Sequence, residues 1–154
     1  MKERIYIDTS VIGGCEDDKF SRWSTQLFEE FRKGLRVAVV SNLTLRELEG
    51  APESVKEILS TLPESNVEGV FLTEEAETLA WNYIDEGAVG AKHIVDAQHI
   101  AIASVERVDV LVSWNFRQIV NLDRIRAFNS VNLKLGYPIL EIRSPQEVVH
   151  EKEV

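Results

Sequence analysis

Four short apolar runs constrain this chain most: Arg4-Ile-Tyr-Ile7, Val37-Ala-Val-Val40, Asp109-Val-Leu-Val112 and Ile139-Leu-Glu-Ile142. Each is too short for a helix. The first three lead straight into polar residues, Asp8-Thr-Ser10, Ser41-Asn42 and Ser113-Trp-Asn115. Runs of this length suit strands buried on both faces. The segments between them carry helical spacing. Strands alternating with helices imply parallel pairing, right-handed crossovers and a sheet covered on both sides. The expected fold is one α/β domain, a three-layer α/β/α arrangement around a mainly parallel sheet. It should span residues 1–147, with a charged tail at 148–154.

The helical segments fit that frame. Gly13-Gly14 reads as a break, after which Asp17 or Asp18 caps a helix to Lys33. Its apolar face is Phe20, Trp23, Leu27, Phe28 and Phe31. Thr44–Glu49 and Pro52–Leu62 are short helices, and Val67–Leu72 is a short extended piece. Thr73 caps a helix that buries Ala76, Leu79, Ala80, Tyr83 and Ile84. Leu122–Leu135 is helical, and Ser144-Pro145 opens a last short helix. The stretch His93-Ile-Val-Asp96-Ala-Gln-His99-Ile-Ala-Ile-Ala-Ser104 is apolar nearly all round, so it belongs between layers. Asp96 lies in its first turn, and a buried carboxylate is costly unless paired, protonated or bound to a metal.

Composition narrows the function. The 154 residues suffice for one sizeable core. With 26 acidic and 17 basic residues the net charge is −9, which argues against broad binding of nucleic acid through a basic surface. Lys92, Arg117, Arg124, Arg126 and Lys134 could still supply a local basic rim, or be ordinary solvated charges. No apolar run approaches a membrane span. The N-terminus enters a strand without the apolar region of a signal peptide. The single cysteine, Cys15, cannot form an internal disulfide. A cytoplasmic location with no membrane contact is expected.

Four motifs each place an oxygen donor beside an apolar element: Ile-Tyr-Ile-Asp8-Thr-Ser10, Ser41-Asn-Leu-Thr-Leu-Arg-Glu47-Leu, His93-Ile-Val-Asp96-Ala and Leu-Val-Ser113-Trp-Asn115-Phe. Alone each is weak. In this order and spacing they resemble the PIN-domain family of metal-dependent ribonucleases. The likeness is greatest to the small single-domain toxins of type II toxin–antitoxin pairs, and it runs from Asp8 to the strand near Ile142. The resemblance implies that Asp8, Glu47 and Asp96 are acidic metal ligands. It implies that Ser10 supports the first carboxylate, with Ser113 and Asn115 as the family's Ser/Thr-x-Asp/Asn motif. Many members carry a fourth carboxylate where this chain has Asn115, which could ligate only through its carbonyl oxygen. It further implies an RNA substrate, an inhibitory antitoxin protein and a homodimer.

The chemistry is consistent with that implication. Carboxylates suit hard cations such as Mg²⁺ or Mn²⁺. Two like charges about 4 Å apart repel by roughly 4 kcal/mol at an effective dielectric near 20. Acids gathered without a cation therefore raise one another's pKa or splay apart. The expected reaction is in-line attack of water on an RNA phosphodiester. The alternative is a catalytically weak or inactive binding or scaffold module, which Asn115 favours. Individual residues keep simpler readings too. Asp8 could cap a turn, Glu47 could pair with Arg46 or Lys56, and Asp96 could serve the helix dipole. His93, Asp96 and His99 could hold zinc, though their positions drift around the helix. Cys15 reads as a bystander thiol. Trp114 could stack on a base or simply pack.

Overall fold

The structure, a computed structural model, describes residues 1–149. Five strands form one sheet: β1 (Glu3–Ile7), β2 (Arg36–Ser41), β3 (Val67–Val70), β4 (Val110–Val112) and β5 (Glu141–Arg143). Their order is β3-β2-β1-β4-β5, and every pairing is parallel. The helices are α1 (Thr9–Gly14), α2 (Ser21–Arg32), α3 (Asn42–Leu48), α4 (Glu53–Ser60), α5 (Glu74–Asp85), α6 (Ile94–Val105), α7 (Leu122–Lys134) and α8 (Pro145–Val148).

The period of two along the strands splits the core into layers. Tyr6, Val39, Val70, Leu111 and Ile142 join one cluster with residues of α5, α6 and α7. Ile5, Ile7, Ala38, Val40, Val110 and Val112 join the other, with Val11, Ile12, Leu27, Phe28, Phe31 and Val55 from α1, α2 and α4. The three-layer expectation therefore holds, and the sheet is wholly parallel. Helix α6 is buried as its sequence requires, with Ala97 and Ile100–Ala103 fully shielded.

Three expectations need correction. Gly13-Gly14 is not a break but the end of α1, because Asp8 caps that helix at once and accepts from Val11 N–H. Gly14 is close-packed: an added Cβ would lie 2.6 Å from Ser24 Oγ and 2.7 Å from Trp114 Nε1. Helix α2 consequently starts at Ser21, with Phe20 at its N-cap and no side-chain cap, rather than at Asp17 or Asp18. The last strand begins at Glu141, not Ile139. The Asn129 side chain takes both the N–H and the C=O of Leu140, which removes them from the ladder. Val149 is buried in the second cluster, and the rest of the tail, 150–154, lies outside the described residues.

The chain builds β1, β2 and β3 to one side, then crosses back to lay β4 on the other side of β1. In open parallel sheets that reversal leaves a crevice at the carboxyl ends of the two central strands. Asp8 directly follows β1 and Ser113 directly follows β4.

Candidate functional site

Asp8 is 6% exposed and fully engaged. Its Oδ1 accepts from Ser10 Oγ at 2.6 Å and Val11 N at 3.3 Å, and its Oδ2 from Ser113 Oγ at 2.6 Å. Asp8 thus caps α1 and binds Ser113 across the sheet at the same time. Ser113 Oγ also accepts from Asn115 N at 3.0 Å. Asn115 Nδ2 reaches Asp96 Oδ1 at 3.4 Å, while its Oδ1 accepts from Gln118 N at 2.9 Å. The Asn115 amide therefore presents its NH₂ to Asp96 and spends its carbonyl on the following turn. One connected path runs Asp8–Ser113–Asn115–Asp96.

Glu47 stands at the other side. Its Oε1 accepts from Thr9 Oγ1 at 3.2 Å and lies 2.7 Å from His99 Nε2. It pairs with neither Arg46 nor Lys56; Lys56 meets Glu53 instead. His99 is buried, and its Nδ1 is 2.6 Å from the Tyr6 hydroxyl, which is 2.8 Å from Ser41 Oγ. The ring meets Glu47 through Nε2 and Tyr6 through Nδ1. Both nitrogens are committed, so His99 is unavailable as a zinc ligand beside His93 and Asp96. The signal for His99 was its place three residues after Asp96; Tyr6 and Thr9 carried none, since their roles depend on neighbours distant in sequence.

The electrostatics separate the carboxylates. Burial alone would push Glu47 up, but the hydrogen bond and charge of His99, with the Thr9 hydroxyl, bring it below its ordinary value. Asp96 is held above its ordinary value, chiefly by burial. His99 and His93 oppose that shift, and the charges of Asp8 and Glu47 add to it. The carboxylates therefore share one field. No Lys or Arg forms an ion pair with Asp8, Glu47 or Asp96 among the described residues. All the donors here are hard oxygens, the chemistry a divalent cation prefers. Among the described residues no three His, Cys, Asp or Glu side chains are gathered closely enough to form a ligand cage.

Neither a family model nor a curated protein matches this sequence. Solved structures do. VapC20 of Mycobacterium tuberculosis, a toxin that cleaves the sarcin–ricin loop, superposes with a TM-score of 0.54 at 16% identity, covering 70% of this chain and 86% of its own. VapBC2 of Rickettsia felis, bound to a DNA fragment from its promoter, gives 0.53 at 14% identity, covering 92% and 98%. A toxin–antitoxin complex from Klebsiella pneumoniae gives 0.53 at 18% identity, covering 78% and 93%. The fold is PIN-like. At these identities the likeness is one of architecture, and it joins the fold that the sequence motifs implied to the sheet seen here. No helix among the described residues of this PIN-like chain is long and apolar enough to cross a membrane.

Proposed function

We propose that this chain is a divalent-metal-dependent endoribonuclease and the toxin of a toxin–antitoxin pair. The observation that carries the reading is a set of carboxylates, Asp8, Glu47 and Asp96, held near the topological switch point by hydroxyl, amide and imidazole groups, with no Lys or Arg ion pair to any of them among the described residues. The toxin–antitoxin neighbours support the biological setting. In this reading Asp8, Glu47 and Asp96 hold Mg²⁺ or Mn²⁺, Ser10 and Ser113 orient Asp8, and Asn115 orients Asp96 while standing in the fourth ligand position. A divalent ion supplies Lewis acidity and charge neutralisation at a phosphodiester. The residues contribute the rest. Ser10, Val11 and Ser113 donate to the two oxygens of Asp8 and so fix its orientation. His99, itself braced by Tyr6, fixes Glu47.

An antitoxin segment bearing Arg or Lys would silence the site by pairing with these acids. A homodimer belongs to the same reading. The large aromatic side chains of Phe28, Phe31 and Tyr83 are spent on the core, whereas Trp81 is half exposed and free to serve an interface.

The test is cleavage of a mixed single-stranded RNA pool by purified protein with Mn²⁺, Mg²⁺ or chelator, beside the Asp8→Asn/Asp96→Asn double variant. Metal-dependent cutting that the variant lacks supports the nuclease. One observation favours a second reading, a non-catalytic binding module: the Asn115 amide offers NH₂ rather than a carboxylate to the site. The discriminator is thermal stabilisation by Mn²⁺, about 2.7 kcal/mol at a hundredfold excess over Kd. No stabilisation and no cutting would leave the binding module.

A further inference from the structure

Beside the carboxylates lies an aromatic edge that metal chemistry does not use. Trp114 is 7% exposed, its ring stacked on Phe20 at 4.1 Å and 15°, its Nε1–H donating to Ser24 Oγ at 2.9 Å. Trp114 is thus a packing residue, and Gly14 is what lets its indole close down. Phe116 leans on this pair, 6.0 Å from Trp114 and 6.4 Å from Phe20, yet remains 49% exposed. Its N–H donates to Trp114 O at 3.0 Å. The result is an aromatic ring supported by buried Trp114 and half-buried Phe20 and open to solvent. It sits one residue beyond Asn115, whose amide reaches Asp96.

The adjoining groove carries two arginines against one acid, in a chain with net charge −9. Arg117 is exposed and forms no ion pair among the described residues. Arg117 and Arg124 line a groove of about 410 Å³ with Asn121 and Ala88; Asp123 is its one acidic residue, against the two arginines. Arg124 is anchored by donating to Ala88 O at 2.7 Å. On the other flank Lys19 lies over the Phe20 ring at 5.3 Å.

We propose that Phe116 and Arg117 form a positioning subsite for single-stranded RNA. A base stacks on the Phe116 ring, the neighbouring backbone phosphate meets Arg117, and the next phosphodiester is thereby delivered to the carboxylates. The inference rests on the ribonuclease reading above. An unpaired base offers a free face to an aromatic ring, whereas a duplex covers it. A guanidinium beside that ring matches a phosphate in geometry as well as charge. A protein partner docking on the same edge is the competing occupant.

The experiment is fluorescence anisotropy of labelled single-stranded RNA with the full chain, Ca²⁺ replacing Mn²⁺ to limit cutting, and matched duplex RNA beside it. Phe116→Ala should weaken single-strand binding about tenfold, in line with the measured value of stacking. Phe116→Leu, which keeps apolar bulk without the ring, should lose as much, and Phe116→Trp should retain binding. Arg117→Gln should lower affinity and reduce the salt slope by about one. An oligonucleotide lacking the stacked base should bind the parent weakly and show no further loss with Phe116→Ala, a readout that a merely structural Phe116 would not give. Phe116→Leu and Phe116→Trp decide the matter should Phe116→Ala fold poorly. Parent-like binding by Phe116→Leu, equal affinity for duplex, or no RNA binding by the parent overturns the subsite. The two readings fail separately. Cutting with Mn²⁺ but no dependence on the Phe116 ring sinks the subsite alone. Ring-dependent binding without cutting sinks the nuclease alone.

Discussion

The two ends of the sheet treat acidic residues differently. Towards the amino ends of the strands, acids meet guanidinium groups: Glu68 pairs with Arg4, Glu3 and Glu30 with Arg36, Glu141 and Glu147 with Arg143. Asp109 there accepts from Arg4 N–H at 2.7 Å. At the carboxyl ends, Asp8 is held by Ser10, Ser113 and a backbone N–H, Glu47 by Thr9 and His99, and Asp96 by Asn115. The first arrangement cancels charge and closes a surface. The second orders carboxylates while leaving most of their charge uncompensated, a state that favours an incoming cation. The same residue type is structural at one end and a candidate for chemistry at the other, and the difference lies in the donors around it.

The largest expected contrast is in activity. Glu47→Gln should lower Mn²⁺-dependent RNA cleavage by at least about a hundredfold, the usual scale for losing one electrostatic group of a site. Glu68→Gln should leave the rate at the parent value. Equal rates for both variants in a gel-based time course would erase the distinction between the two ends.

Next in size is a stability effect behind the carboxylates. His99→Ala takes one of the two partners from the buried Tyr6 hydroxyl, which keeps Ser41, and opens a cavity, so urea unfolding should show a loss of about 2–4 kcal/mol. A loss below about 0.5 kcal/mol, the scale of an ordinary surface change, would show that the ring is not braced as described.

A smaller effect has opposite signs at the two ends. In chelator at neutral pH, Asp96→Asn should raise the melting temperature, because burial and the charges of Asp8 and Glu47 disfavour the ionised carboxylate. Glu68→Gln should lower stability by about 0.5 kcal/mol, typical of a part-exposed pair. A shared sign would break the comparison.

The smallest concerns Cys15. Burial pushes its thiol up to about 11 from 9.0, with Thr25 and Arg32 opposing. The folded state then holds the proton more tightly than the unfolded one. Its contribution to stability is full below pH 9 and is lost as pH rises towards 11. Alkylation by iodoacetamide near neutral pH should be slow in the native protein and fast in urea; equal rates would contradict the burial.

The sequence by itself determined the strands, most of the helices and the polar residues, Asp8 and Ser113, that leave the two neighbouring strands β1 and β4. Apolar runs ending in Asp8 and Ser113 encode both a buried strand and a polar group at its exit, so pattern and position coincide. It also marked Asp96, since a carboxylate in an apolar helix demands a partner. It misplaced the start of α2 and the first residue of β5. There the deciding contacts are long-range or sterically particular: Trp114 against Gly14, and Asn129 against Leu140. Only the tertiary structure decided that His99 braces Glu47, that the Asn115 amide faces Asp96, and that Trp114 is buried while Phe116 is exposed. Periodicity reports which face of an element is covered, but a side chain's partner depends on which distant element supplies that cover.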